Sequence, residues 1–241
     1  MATAELNPPA GVRRDPFPRP WTPAEFERAC GLGVFAGRAV ELIDSQIVER
    51  IGGDLRPFVF TRKEYYALGD GQFFRDQRVQ LIAGEILQMS RMNPPHAVAI
   101  QLATKALERV FGDGFNVRGV QLPVVLGPTS EPEPDVAVVR GSPRDYGDDH
   151  PTTALLVVEL SDTTFDYDAF EKANLYASAG ITDYWVIDIT RHRLIVMRNP
   201  QANAGEVHAH RYDSLLAFEE DKFVSPLAAP DARIRVADLL P

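Results

Sequence analysis

The sequence predicts a mixed α/β (α+β) fold, with a central sheet flanked by helices and a helix–hairpin appendage at the N-terminus. Two short, nearly all-apolar runs, residues 135–140 and 154–160, are typical of strands that are buried on both faces of a sheet. Residues 96–111 place apolar side chains at helical spacing and therefore predict a long helix. Helices and strands alternate along the chain, which favours a mixed sheet.

The N-terminal part of the sequence contains an internal repeat. Residues 1–20 are rich in proline and predict a disordered lead. Residues 22–50 align without gaps on residues 61–89, and each copy predicts a short helix, a strand, a tight turn and a second strand. Each helix should begin at a capping box, because Thr22 and Thr61 are both followed three residues later by glutamate.

The repeat sets the predicted domain boundaries. We interpret residues 21–56 as a degenerate copy of the helix–hairpin element and residues 57–241 as the main domain. Two copies are too few for a solenoid, and coincidence between two ordinary helix–hairpin units remains an alternative.

The remaining elements of the main domain are predicted from periodicity and from the residues that begin and end helices. Pro95 suits the first turn of the long helix, and Gly112 should end it. Gly180 should end a second helix. Asp166 and Asp168 lie near its N-terminus, where their negative charge complements the positive end of the helix dipole. The other expected elements are a strand over 116–126, a helix over 166–179, a hairpin of 184–188 and 193–197, and weaker strands near 206–213 and 232–236.

Composition excludes several classes of protein. The net charge of −9 argues against a protein whose function is non-specific binding of duplex nucleic acid, because such proteins usually carry a basic surface. The apolar runs are too short for a transmembrane helix, and the N-terminus lacks the apolar core of a secretory signal. The single cysteine, Cys30, excludes an intramolecular disulfide, so we expect a cytoplasmic protein.

Three charged residues in the second half of the chain point to a chemistry. Asp135 opens the first all-apolar run, Glu159 ends the second, and Lys172 lies in the helix that follows. Two carboxylates at the ends of neighbouring strands can hold Mg²⁺, and an ammonium group can position water or stabilise phosphoryl charge. This set is what metal-assisted phosphodiester hydrolysis needs.

Each of these residues also has a structural interpretation. Asp135 could be an ordinary loop–strand junction, and Glu159 could form a buried ion pair with Lys172. Lys172 could equally form a surface pair with Asp168 on the same helical face. His96, at the start of the long helix, is by base rate more often structural than catalytic.

Several stretches of the sequence carry a family resemblance when taken together. They are residues 79–86, 94–96, 131–136 and 158–164, and the segment from Tyr167 through Lys172 and Tyr176 to Asp188. In these stretches the chain resembles the Uma2-like (DUF820) nucleases, a bacterial branch of the PD-(D/E)XK restriction-endonuclease superfamily. The resemblance covers about residues 60–240.

The resemblance implies a restriction-endonuclease-like fold, whose four- or five-stranded mixed central sheet is flanked by helices. It implies Asp135 and Glu159 as ligands of Mg²⁺ (or Mn²⁺), and Lys172 as the catalytic lysine. That lysine is displaced onto a helix from the usual superfamily position, which here is Ser161. The residues expected to support the site are Glu85, His96, Gln121, Ser161, Asp168 and Tyr176.

The chain departs from the family pattern in its hairpin. A Glu-Leu-Ile-Asp-Gly-Glu pattern is typical there, but the second copy has Gln80 and Ala83 while it keeps Gly84 and Glu85. The first copy keeps Glu41 and loses the glycine. This departure leaves the level of activity and the number of metals open.

The first hypothesis is therefore a Mg²⁺- or Mn²⁺-dependent endonuclease that hydrolyses phosphodiester bonds of a nucleic acid, with DNA favoured over RNA. An alternative is a catalytically weak or inactive binding or regulatory module on the nuclease fold, since fold alone does not fix function. A third hypothesis is an oligomerisation protein in which residues 21–55 pair with a partner's sheet edge. No membrane partner is expected, and a homodimer is left open.

Overall fold

The structure is a computed structural model that describes residues 16–119 and 121–241. Its N-terminal part contains two three-stranded antiparallel sheets, with strand orders β1-β6-β5 and β2-β3-β4. The elements of this part are β1 (Phe17–Pro18), α1 (Pro23–Gly31), β2 (Val40–Ile43), β3 (Gln46–Ile51), β4 (Asp54–Pro57), α2 (Arg62–Asp70), β5 (Val79–Ile82) and β6 (Glu85–Gln88).

Both copies of the repeat form a capped helix followed by a hairpin. Thr22 and Thr61 are the N-caps of α1 and α2, and each makes the predicted capping box with the glutamate three residues later. Strands β2 and β5 then occupy equivalent positions of the two copies, as do the starts of β3 and β6. The sequence periodicity therefore predicted these local elements correctly.

The two copies share one hydrophobic cluster. Buried side chains of the first copy, including Phe35 and Ile47, lie in the same cluster as Phe73, Leu81 and Ile86 of the second. The division of the chain at residue 56 remains a prediction, and side chains from both sides of it are packed together.

The structure corrects the expected disordered lead where residues of that lead are described. Phe17–Pro18 pairs with β6, and Arg19 is only 2% exposed. The Arg19 guanidinium donates to Gln77 at 2.8 Å, forms an ion pair with Glu25 and lies over the Trp21 ring. These tertiary contacts outweigh the proline-rich composition. Residues 1–15 lie outside the described residues.

The C-terminal part is built on a mixed six-stranded sheet with the order β12-β11-β10-β9-β8-β7. Strands β9 and β10 are parallel, and the other neighbouring pairs are antiparallel. The elements of the part are α3 (Pro94–Val110), β7 (Phe115–Gly119), β8 (Val136–Arg140), β9 (Leu156–Ser161), a π-helical segment (Tyr167–Lys172), α4 (Ala173–Ser178), β10 (Asp183–Asp188), β11 (Arg193–Ala202), β12 (His210–Glu219), β13 (Phe223–Val224) and β14 (Ile234–Arg235).

Helices cover both faces of the central sheet. Ala103 and Leu107 of α3 pack with Val136 and Val158 on one face. On the other face, Ala173 and Tyr176 lie in the cluster that contains Ala137 and Val157. Successive residues of β8 and β9 thus alternate between two buried faces, which explains why these strands read as continuous apolar runs. The predicted α+β class with a mixed central sheet is confirmed.

Three expectations about elements need correction. The sheet has six strands instead of four or five. The strand expected over 116–126 is only Phe115–Gly119, so Gln121 lies beyond its end, with a φ of 60°. The helix expected over 166–179 begins with a π-helical segment, because hydrogen-bond spacing of this kind leaves no signature in apolar periodicity.

Among the helices of the described residues, none combines the length and the apolar character that crossing a bilayer would require.

Candidate active site

The strand register brings the two predicted carboxylates together. Val136 of β8 pairs with Val158 of antiparallel β9, so one further step in the register places Asp135 opposite Glu159. Side chains directly opposite each other on one face of such a pair lie side by side. Asp135 immediately precedes its strand, as expected. Glu159 lies inside β9 and not at its end, so the pairing is a cross-strand contact and not a meeting of two strand ends.

Lys172 completes the predicted set of three. Its Nζ lies 2.9 Å from Glu159 Oε1 and 3.7 Å from Asp168 Oδ1, and the residue is 3% exposed. The π-helical segment ends at Lys172 and lies against the sheet face that carries Glu159. The ammonium group is therefore buried between two carboxylates and does not point to solvent.

Asp135 is held by three donors that come from different elements. Its Oδ1 accepts from Gln121 Nε2 at 3.0 Å and lies 3.1 Å from His96 Nε2, while Oδ2 accepts from the Leu160 backbone N–H at 2.8 Å. Burial opposes ionisation of this carboxyl, but the hydrogen bond from His96 and the charges of His96 and Lys172 outweigh it and lower the pKa of Asp135. Burial acts to lower the pKa of His96, but the hydrogen bond to Asp135 and the charge of Asp135 outweigh it and raise that pKa.

Glu159 and Asp168 are in the opposite electrostatic state. Burial raises the pKa of Glu159 to about 8, with Lys172 acting against the shift and the nearby Asp135 and Asp168 charges adding to it. Burial likewise raises the pKa of Asp168 to about 6, and Lys172 again opposes the shift. The three buried carboxylates thus share one ammonium group and one imidazole, so two of them hold a proton more readily than an exposed acid does.

These groups line or border a cavity of about 140 Å³. Its lining includes the predicted residues Asp135, Glu159, Lys172, His96, Gln121 and Asp168.

Two of the expected supporting residues lie just behind the cavity. The Tyr176 hydroxyl donates to Glu159 Oε1 at 2.8 Å, and Tyr176 is completely buried. The Ser161 hydroxyl lies 3.4 Å from the Thr164 hydroxyl. Thr164 in turn donates to Asp168 at 2.5 Å. These side chains can fix the orientation of Glu159 and Asp168.

Glu85 is not part of this cavity. It begins β6 and lines two other depressions, one of them together with Glu171 and His208. Burial, and then repulsion from Glu171, raises the pKa of Glu85. The expectation that it supports the site is therefore not met by its position.

Sequence reasoning missed several residues of the cavity lining, among them Glu133 and Arg78. Glu133 lines the cavity, and its backbone N–H donates to the Gln80 side chain at 3.3 Å. Burial raises the pKa of Glu133, while the charges of Arg78 and Lys172 oppose the shift. Glu133 lies two residues before Asp135 and between two prolines, which favour an extended backbone. Alternate side chains of an extended segment lie on one side, so this spacing could have predicted that Glu133 faces the same way as Asp135.

Asp135 and Glu159 are two residues of the cavity that could hold a divalent metal. Mg²⁺ commonly binds through one or two carboxylates and keeps its other positions for water or substrate phosphate, so two hard oxygen donors are sufficient. A cation that displaced the protons of these acids would supply the positive charge that their ionised forms lack. No group of three or more His, Cys, Asp or Glu side chains among the described residues is placed to form an all-protein metal cage.

The mixed sheet with this arrangement of acids and lysine defines a nuclease-type fold. A crystal structure from Anabaena variabilis, titled "putative nuclease belonging to DUF820", is similar to this chain with a TM-score of 0.52 and 17% identity. The similarity covers 68% of this chain and 90% of that chain, and at this identity it shows the fold alone.

The family follows from the sequence itself. Residues 62–237 match the Uma2 family, described as "Putative restriction endonuclease". The chain belongs to this family, as its sequence motifs predicted. No curated protein matches this chain.

Proposed function

We propose that this protein is a Mg²⁺- or Mn²⁺-dependent endonuclease that hydrolyses phosphodiester bonds of a nucleic acid, with DNA as the favoured substrate. The observation that carries the proposal is the buried contact of 2.9 Å between Lys172 Nζ and Glu159, with Asp135 across the strand pair. The restriction-endonuclease-like family and fold support it. A cytoplasmic location is part of the same proposal.

Asp135 and Glu159 would hold the metal. When bound, such an ion supplies positive charge to the scissile phosphate and lowers the pKa of a coordinated water. His96, Gln121 and the Leu160 N–H fix both oxygens of Asp135, so this carboxylate is oriented before substrate arrives.

Lys172 would act on the reacting phosphate or on the attacking water. Its ammonium is held by Glu159 and Asp168, and burial in a site of low dielectric makes its charge more effective than it would be in water. Tyr176 holds Glu159 from behind and limits its movement. These contacts pre-organise the three groups, which is how a positioned charge contributes most to rate.

The alternative is a weakly active or inactive module on the same fold. The observation that favours it is Gln80, which stands where the family hairpin has an acid and is 2% exposed. A Lys172 side chain directed to solvent would have added support for this alternative. The buried ion pair of Lys172 instead supports an active site. Homodimer formation, and pairing of residues 21–55 with a partner, remain proposals.

The test is a cleavage assay on plasmid DNA, single-stranded DNA and RNA with Mg²⁺ or Mn²⁺. We expect Asp135→Asn, Glu159→Gln and Lys172→Met each to lower the cleavage rate by about 10²-fold or more, since each removes a positioned charge from a buried site. Thermal unfolding should show that the variants remain folded.

The matched control is Glu131→Gln. Glu131 is also a buried glutamate, at 4% exposure, but it is held by Arg62 and Tyr66 and does not line the cavity. This variant should cleave like wild type. If the folded Asp135, Glu159 and Lys172 variants also cleave like wild type, the nuclease assignment is wrong.

A further inference from the structure

The mouth of the cavity carries two arginines that the chemistry above does not use. Arg78 immediately precedes β5, and its backbone carbonyl accepts from the Met89 N–H at 2.9 Å, so its position is fixed by the hairpin. Arg91 follows the same hairpin, and both residues line the cavity. They come from the hairpin, whereas the lysine of the cavity comes from the π-helical segment.

The other cations of the cavity are already paired. Lys172 contacts Glu159 and Asp168, and His96 contacts Asp135. Among the described residues, no carboxylate lies within ion-pair distance of Arg78 or Arg91. Each of these two guanidinium groups therefore keeps a full charge that no acidic side chain neutralises directly.

One donor atom of Arg78 also lacks a hydrogen-bond acceptor. Its Nη1 reaches the Ser90 carbonyl at 3.4 Å, but its Nη2 is buried and has no hydrogen-bond partner. A buried donor without an acceptor is costly, and such atoms are few in folded proteins. The acidic side chain whose charge acts on Arg78 is Glu133, which lines the same cavity without a hydrogen bond or ion pair from its carboxylate to any described residue.

Several other partly buried arginines of this protein have carboxylate partners. Arg118 has none, and its Nε is also buried without a partner, but its Nη2 donates to the Pro123 carbonyl at 3.2 Å. Arg38 pairs with Glu49, Arg62 with Glu131, and Arg198 with Asp183 at 2.8 Å. Arg78 differs from them because it faces a cavity and has no such partner. This difference indicates that its acceptor is an anion that enters the cavity.

We propose that Arg78, together with Arg91, forms a phosphate-binding subsite that holds a backbone phosphodiester of the nucleic acid at the mouth of the cavity. The inference rests on the proposed function, because it assumes that the substrate is bound in the cavity that Asp135 and Glu159 also line. A guanidinium offers two parallel N–H donors to phosphate oxygens and keeps its charge at every working pH. It also offsets the repulsion that a protein with a net charge of −9 exerts on a polyanion.

The test compares Arg78→Met with Arg75→Met. Methionine keeps the apolar stem of the side chain and removes the charge. Arg75 is exposed on the preceding loop, donates to Gln72 at 2.5 Å and does not line the cavity. Binding of a fluorescent DNA oligonucleotide would be measured with Ca²⁺ in place of Mg²⁺, at several salt concentrations, after thermal unfolding has shown that both variants are folded.

Arg78→Met should weaken binding by about tenfold and reduce the slope of log affinity against log salt by about one, because one phosphate contact is lost. Arg75→Met should leave both quantities unchanged. Arg78→Lys should keep the salt slope and recover part of the affinity, since it restores the charge without the paired donors. In cleavage assays, Arg78→Met should raise KM more than it lowers kcat.

The outcomes separate this inference from the nuclease assignment. If wild type binds and cleaves DNA, but Arg78→Met binds with unchanged affinity and unchanged salt slope, the subsite is wrong and the nuclease assignment stands. If free inorganic phosphate protects wild type against unfolding as well as the oligonucleotide does, the ligand is a free anion and the backbone assignment is overturned. If wild type neither binds nor cleaves nucleic acid, both proposals fail.

Discussion

Two sets of buried acids in the central sheet differ in how they are neutralised. Asp183, at the start of β10, is fully buried and accepts from Arg198 at 2.8 Å, the Trp185 indole at 2.9 Å and the Leu227 N–H at 2.8 Å. Asp188, at the end of the same strand, accepts from Arg191 and Arg193. Each of these acids has at least one arginine of its own.

The acids of the cavity do not each have a cationic partner of their own. Asp135, Glu159 and Asp168 share Lys172 and His96, and the pKa values of two of them are raised by burial. Burial of a carboxylate therefore does not by itself mark a functional site, because structural acids are buried as well. What distinguishes the cavity is that its acids are short of cationic partners, so that their ionised forms would need a ligand to stabilise them.

The largest expected effect of a single substitution on stability tests the claim that Asp183 is a structural acid. Asp183→Asn should lower the free energy of unfolding by about 3 kcal/mol, because Arg198 loses its charged acceptor and a network of buried hydrogen bonds is weakened. Urea unfolding measures the effect. Added Mn²⁺ should not restore the stability of this variant. A loss below about 0.5 kcal/mol, as for an ordinary surface substitution, would show that Asp183 is not a structural acid of the kind described.

A second effect, smaller for each pH unit, is expected from pH. Burial raises the pKa of Glu159 to about 8 in the folded protein, above its ordinary value of 4.5, so the folded state binds more protons between these limits. Linkage then requires the free energy of unfolding to fall as pH rises, by at most about 1.4 kcal/mol per pH unit for one proton. Asp168, whose pKa is raised to about 6, contributes with the same sign at lower pH.

Urea unfolding of the metal-free protein between about pH 5 and pH 8 tests this dependence. Glu159→Gln should reduce the slope, since the group that titrates is removed. Equal slopes for wild type and Glu159→Gln would contradict the electrostatic state assigned to the cavity.

Much of the local structure was predictable from the sequence because it depends on local signals. The capping boxes at Thr22 and Thr61, the hairpins of the repeat and the doubly buried strands β8 and β9 all follow from spacing and residue type. The association of Asp135, Glu159 and Lys172 was also predicted. The antiparallel register of β8 and β9, which brings Asp135 and Glu159 together, was not predicted.

The errors share a physical cause, because tertiary contacts decided each of them. Arg19 and the Phe17–Pro18 strand are ordered by pairing with a hairpin that lies far along the chain. Glu85 has the residue type of a site acid, but the packing of its hairpin places it beside Glu171 instead. Arg78 carries no sequence motif, and its role is suggested only by its missing acceptor.

The most direct measurement is calorimetric titration of the metal-free protein with Mn²⁺. If Asp135 and Glu159 leave negative charge for a cation, wild type and Glu131→Gln should bind Mn²⁺ with similar affinity. Asp135→Asn and Glu159→Gln should bind it at least about tenfold more weakly, because each loses one of two charged ligands. If wild type does not bind Mn²⁺, or if Glu159→Gln binds it as tightly as Glu131→Gln, the metal-dependent site is contradicted.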